Sequence, residues 1–136
     1  MHILDPQSLL NLLMFRTGMT DLIACFSTGP GTGAHVLKVI EGMEWGTVYL
    51  IADKSFQGKI PEKENMKILY IDPQKTIADL SGEMKGFLQG KISDLEVGVN
   101  FVSGTGKEHM ALLLALLELG LGIRLVALTK DGVKVL

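Results

Sequence analysis

Residues 99–120, VNFVSGTGKEHMALLLALLELG, pass from a strand-like run, Val99-Asn100-Phe101-Val102, to a helix-like run from Met110 to Leu119. The junction carries Ser103, Gly104, Thr105, Gly106, Lys107 and His109. A second glycine-rich turn, TGPGTG, follows DLIACFS and supplies Thr28, Gly29, Gly31, Thr32 and Gly33 after Ser27. Glycine lets backbone N–H groups come close to a ligand, and a helix N-terminus favours negative charge. Both turns therefore have the composition of an anion or phosphate cradle. Lys107, on a first helical turn, opposes the helix dipole. It makes sense beside an anion, or else it points into solvent. Thr105 and Glu108 have the spacing of a capping box, which requires no ligand. His109 reads equally as a ligand contact or as a half-buried surface histidine, and His35 as structural or solvent-facing.

Two known phosphate motifs bear on these turns. The second is not a Walker A loop: Glu108 follows Gly106-Lys107 where Ser or Thr would hold magnesium, and Phe101 stands at the earlier glycine. The first fits the alanine-ended dinucleotide fingerprint, Gly29-x-Gly31-x-x-Ala34, with Asp53 at about the expected distance downstream. That reading leaves Lys107 and the second glycine turn unexplained.

The surrounding elements decide where such turns would sit. At 136 residues, 47% hydrophobic and 21% charged, the chain reads as one globular domain, residues 1–136. A helical extension is expected within residues 1–19, with Leu9, Leu10, Leu13 and Met14 at helical spacing. Strands are predicted over 21–27, 47–53, 67–72, 95–102 and 122–129. Helices are predicted over 34–43, from Asp72-Pro73 to Gly90, and over 107–119; the loop from Lys54 to Met66 marks a helix poorly. Asp131-Gly132 predicts a closing hairpin. Strands alternating with helices imply an α/β, Rossmann-like three-layer sandwich, with a mainly parallel sheet and an antiparallel C-terminal hairpin strand. In a doubly wound order the first and fourth strands are neighbours, so both glycine turns would line one crevice. The segment MALLLALLELGLG is more apolar than one sheet face demands, and a helix apolar all round is buried on both sides. Its outer side is expected to meet a second subunit, or else the N-terminal helix.

Net charge is −2, which argues against a broad surface for duplex nucleic acid. The single cysteine, Cys25, excludes an intramolecular disulfide and a multi-cysteine metal site. No metal or cofactor is expected. With no leader evident and no apolar run long enough to span a bilayer, the expectation is a soluble, cytoplasmic protein without membrane contact.

From about residue 20 onward, CFSTGPGTGAHVLKVI together with VNFVSGTGKEHMALLLALLELG resembles CARF domains, the CRISPR-associated Rossmann-fold sensors of type III immunity. Asn100, Ser103, Gly104, Gly106, Lys107 and Met110 occupy positions comparable to the motif after that family's fourth strand, with Thr105 interrupting the usual glycine pair. The resemblance implies a homodimer that binds a cyclic oligoadenylate through Gly29, Gly31, Thr32, Gly33, Ser103, Gly104, Thr105, Gly106 and His109. It also implies the activity of standalone relatives, the ring nucleases, which cut the cyclic messenger without a metal. Lys107 would then stabilise charge on the phosphate, while Ser27 or Thr28 would position the attacking ribose hydroxyl. The alternatives are a dinucleotide- or mononucleotide-binding protein using Gly29, Gly31, Ala34 and Asp53, and a non-enzymatic assembly subunit whose glycines only make turns.

Overall fold

The computed structural model describes residues 5–6, 20–27 and 32–136. The expected N-terminal helix and residues Thr28, Gly29 and Gly31 lie outside the described residues. Six strands form one sheet: β1 (Leu22–Phe26), β2 (Val48–Asp53), β3 (Met66–Ile71), β4 (Glu96–Asn100), β5 (Gly122–Thr129) and β6 (Gly132–Val135). Their order is β3-β2-β1-β4-β5-β6, parallel except for β6, which runs antiparallel to β5. The predicted α/β fold is therefore the observed one. β1 lies at the centre, and all five of its residues are buried. That explains its unbroken apolar run, since a parallel strand covered on both faces has no solvent side to alternate with.

Two helices cover one face. They are α2 (Ile77–Leu88) and α3 (Gly106–Glu118), which pack against each other and against the sheet. Leu80, Met84 and Leu88 of α2 meet Ala111, Leu112, Ala115 and Leu116 of α3 over Ile23, Cys25, Tyr49, Ile51, Val97 and Val99. The opposite face is covered by α1 (Thr32–Glu41), whose Val36, Val39 and Ile40 lie over Leu22, Ala24, Phe26, Leu50 and Val126.

The connection from β2 to β3 holds only a single 3₁₀ turn, Lys54–Phe56. Asp53 accepts the Ser55 N–H at its start, and Phe56 sets its ring edge-on to Phe26 at 5.1 Å. The poorly marked helix there is thus reduced to one turn, in a mostly charged and polar segment that gives Phe56 and Ile60 to the core.

Three boundaries depart most from expectation, each for a local reason. α2 starts at Ile77 and not at Asp72-Pro73: Asp72 accepts the Gln74 N–H in a turn, and Thr76 is the N-cap, accepting the Asp79 N–H at 3.1 Å. β4 ends at Asn100 rather than Val102 because the Asn100 side-chain oxygen accepts the Val102 N–H at 3.3 Å and bends the chain out of the sheet. α1 begins at Thr32, two residues early. Gly33 thereby falls inside its first turn, where a Cβ would stand 3.1 Å from the Phe26 ring. A side chain there would have to displace that ring by a few tenths of an ångström.

Candidate functional site

β1 and β4 run side by side, with Leu22 beside Gly98, Ile23 beside Val99 and Ala24 beside Asn100. Their carboxyl ends therefore open together at the point where strand order reverses, the usual ligand crevice of an open parallel sheet. Ser27 closes β1, and Ser103 lies in the turn between β4 and α3. The two are joined directly. The Ser27 N–H donates to Ser103 Oγ at 2.9 Å, Thr32 Oγ1 donates to the same oxygen at 3.1 Å, and Ser103 Oγ–H donates to the Ser27 carbonyl at 3.4 Å. Ser103 is fully buried. Its hydroxyl pins the start of α1, the end of β1 and the second glycine turn to one another.

The rest of the second turn is built from the helix inward. Thr105 is the N-cap of α3: its Oγ1 accepts the Glu108 N–H at 3.2 Å. In return, the buried Glu108 carboxylate accepts from the Thr105 N–H at 2.7 Å and from its hydroxyl at 2.6 Å. The capping box is complete. His109 donates from Nε2 to the Ser103 carbonyl at 2.7 Å and sets its ring against Phe101 at 5.2 Å. Gly104 is needed twice over. Its φ of +104° is one that other residues rarely adopt, and a Cβ would come within 3.1 Å of His109 Nε2. Cys25 lies beneath this turn, and burial, reinforced by the charge of Glu108, pushes its thiol up to about 12. It is therefore no nucleophile at neutral pH.

Once these groups are satisfied, Gly106 and Lys107 remain. As the first two residues of α3 they have N–H groups with no acceptor inside the helix. A Cβ at Gly106 would meet open space, and its φ lies outside the left-handed region, so neither packing nor backbone geometry asks for glycine there. The half-buried Lys107 side chain makes no ion pair or hydrogen bond to another described residue. Together they present two backbone donors, a helix dipole and a cation, which is what an anion requires.

The remaining predicted residues are placed as follows. Ser27 is buried, Thr32 reaches Ser103, and Ala34 is exposed on the first turn of α1. Asp53 stands at the carboxyl end of β2, as the dinucleotide reading expects, but one oxygen is committed to capping the 3₁₀ turn. Among the described residues, no group of three or more His, Cys, Asp or Glu side chains could hold a metal ion, and no helix is long and apolar enough to cross a membrane.

Sequence reasoning missed the cross-link at Ser103 and the role of Asn100. The latter had a signal: an asparagine inside an apolar strand is uncommon, and Asn100 is fully buried. Comparison of the chain with protein-family models, with curated proteins and with solved structures gives no match.

Proposed function

We propose that the chain binds a cyclic oligoadenylate as a homodimer, in the crevice above the carboxyl ends of β1 and β4. The observation that carries this reading is the pair Gly106 and Lys107, without a hydrogen-bond or ion-pair partner among the described residues, in a turn that Ser103 ties to Ser27 and Thr32. Phosphates of the ring would take the two amides and the Lys107 ammonium of each subunit. A two-fold ligand suits an isologous dimer. The apolar surface supports a partner: Met110, Leu113, Leu114 and Leu117 are exposed along α3. Leu125, also exposed, lies on the face of β5 that carries Ile123 toward α3, and Leu136 N–H bonds its carbonyl.

In the same reading the site cuts the ring. A ribose 2′-oxygen attacks the adjacent phosphorus, the 5′-oxygen leaves, and Lys107 stabilises the charge that grows on the phosphate. Ser27 is buried, so its part is to hold the first turn that orients the ribose.

Calorimetric titration with cyclic tetra- and hexa-adenylate, NAD and ATP tests the binding. Saturable heat with a cyclic ligand, at one ring per two chains, supports the proposal. Heat with NAD alone would transfer the site to the dinucleotide reading, in which Asp53 takes the ribose.

A further inference from the structure

β4 stops at Asn100, but β5 continues four residues beyond Leu125, its last residue paired with β4, opposite Val99. On the side facing β4, the backbone groups of this overhang include the Val126 carbonyl and the Leu128 N–H. Two side chains take them. Asn100 Nδ2 donates to the Val126 carbonyl at 2.8 Å, and the Leu128 N–H donates to His35 Nε2 at 3.3 Å. The two side chains also meet each other, with Asn100 Nδ2 lying 3.3 Å from His35 Nε2. Asn100 and His35 thus splice the ladder past the end of β4 and tie α1 to β5.

The hydrogen-bond pattern fixes the protonation state of His35. Asn100 Nδ2 is identified by the carbonyl it serves, and Asn100 Oδ1 by the Val102 N–H that it accepts. Two donors, one amide hydrogen from Asn100 and the Leu128 N–H, therefore converge on His35 Nε2, which must carry no proton. His109 is the opposite case, since a carbonyl faces its Nε2 and the proton must be there.

We infer that His35 is an acid-sensitive latch: as a neutral Nδ1–H imidazole it clasps α1 to the β5–β6 hairpin, and protonation of Nε2 releases the clasp. Taking up a proton would set a third N–H against two donors, whereas the His109 bond survives the same event. Histidine changes charge within the range pH 5 to 8. The two donors and a proton compete for the one Nε2 lone pair, so acid opposes the splice.

Among the described residues, charged neighbours do not compensate. β1 has no charged residue; β4 has only Glu96 and β5 only Arg124, and these two pair with each other at 3.8 Å, towards the amino ends of their strands. α1 itself carries Lys38 and Glu41, and the hairpin carries Lys130, Asp131 and Lys134. No ion pair joins His35 to a carboxylate among the described residues. The only other titratable side chain on these strands, Cys25, belongs to the core on the opposite face of the sheet.

The inference stands on the unliganded chain and does not depend on the nucleotide reading. Nitrogen-15 spectra of the histidine rings should place the His35 proton on Nδ1 at pH 7.5 and the His109 proton on Nε2. Amide exchange of Leu128, corrected for its intrinsic pH dependence, should accelerate roughly tenfold between pH 7.5 and 5.5 as two bonds are lost. His35→Gln, whose amide oxygen accepts both donors at any pH, should keep Leu128 protected throughout, whereas His35→Phe should expose it at both pH values. An Nε2–H tautomer at pH 7.5 in the wild type would overturn the inference. So would Leu128 protection indifferent to pH, or a folded His35→Gln as acid-sensitive as the wild type. The wild-type tautomer decides even if neither variant folds.

Discussion

At Gly106 a ligand and a helix make opposite demands. Alanine there would meet no neighbour and needs no unusual backbone, so Gly106→Ala should stabilise the protein by up to about 1 kcal/mol through helix propensity and reduced unfolded-state entropy. If phosphate sits on the two exposed amides, the same methyl group intrudes and affinity for the cyclic ligand falls; a thermal melt and a titration on one sample read both effects. Lys107→Ala should likewise leave stability unchanged or raise it by roughly 0.3–1 kcal/mol, because the ammonium opposes the dipole. It should weaken binding by about 1.5–3 kcal/mol for each charged hydrogen bond lost. Turnover should fall beyond the loss in affinity, since phosphate charge grows in the transition state. Wild-type binding and turnover in Lys107→Ala would reduce this turn to a helix cap. Asp21 offers a separate test of pH linkage. Burial first, and then Asp94, raises its carboxyl despite the Thr47 N–H that it accepts at 2.7 Å. The folded chain therefore holds that proton more tightly than the unfolded one, and stability falls as pH rises through and above the ordinary aspartate value of 3.8. Asp21→Asn keeps the acceptor without the charge. It should melt higher than the wild type at pH 7, and the gain should vanish at pH 3.

At the scale of elements, α3 resolves into two stripes that the sequence could not separate. Met110 to Leu117 is apolar at every position, so periodicity alone names no inner face. The sheet and α2 decide it: Ala111, Leu112, Ala115 and Leu116 are buried, while Met110, Leu113, Leu114 and Leu117 are exposed, Leu117 at 65%. These outer residues fall at i, i+3, i+4 and i+7, one continuous stripe. If a second copy covers it, light scattering should report twice 14.8 kDa, and Leu117→Glu or Leu114→Lys should give a folded monomer. A monomeric wild type at high concentration would remove the dimer from the proposal. The capping box of α3 was legible because its signal is local, three residues apart. The end of β4 was not, since Val102 suits a strand and only the side-chain bond from Asn100 turns the chain away.

For the molecule as a whole, the alternation of strands and helices with two glycine turns was enough to predict the sheet and the meeting of β1 with β4. What stayed hidden was whatever joins distant residues through side chains. The Ser27–Ser103 bond spans 76 residues, Asn100–His35 spans 65 and Leu128–His35 spans 93, and no spacing rule reports such pairs. The order of strands carries one more consequence, for the birth of the chain. β3-β2-β1 and β4-β5-β6 are consecutive halves whose strands join only at the rungs from Leu22–Gly98 to Ala24–Asn100. On the ribosome the first half can assemble early, but its innermost strand, LIACF, must wait with a bare apolar edge until Glu96 to Asn100 emerge. Such an edge invites pairing with another nascent chain. A chain truncated just before Glu96 should aggregate or be retained by chaperones, whereas the full 136-residue chain should be released soluble.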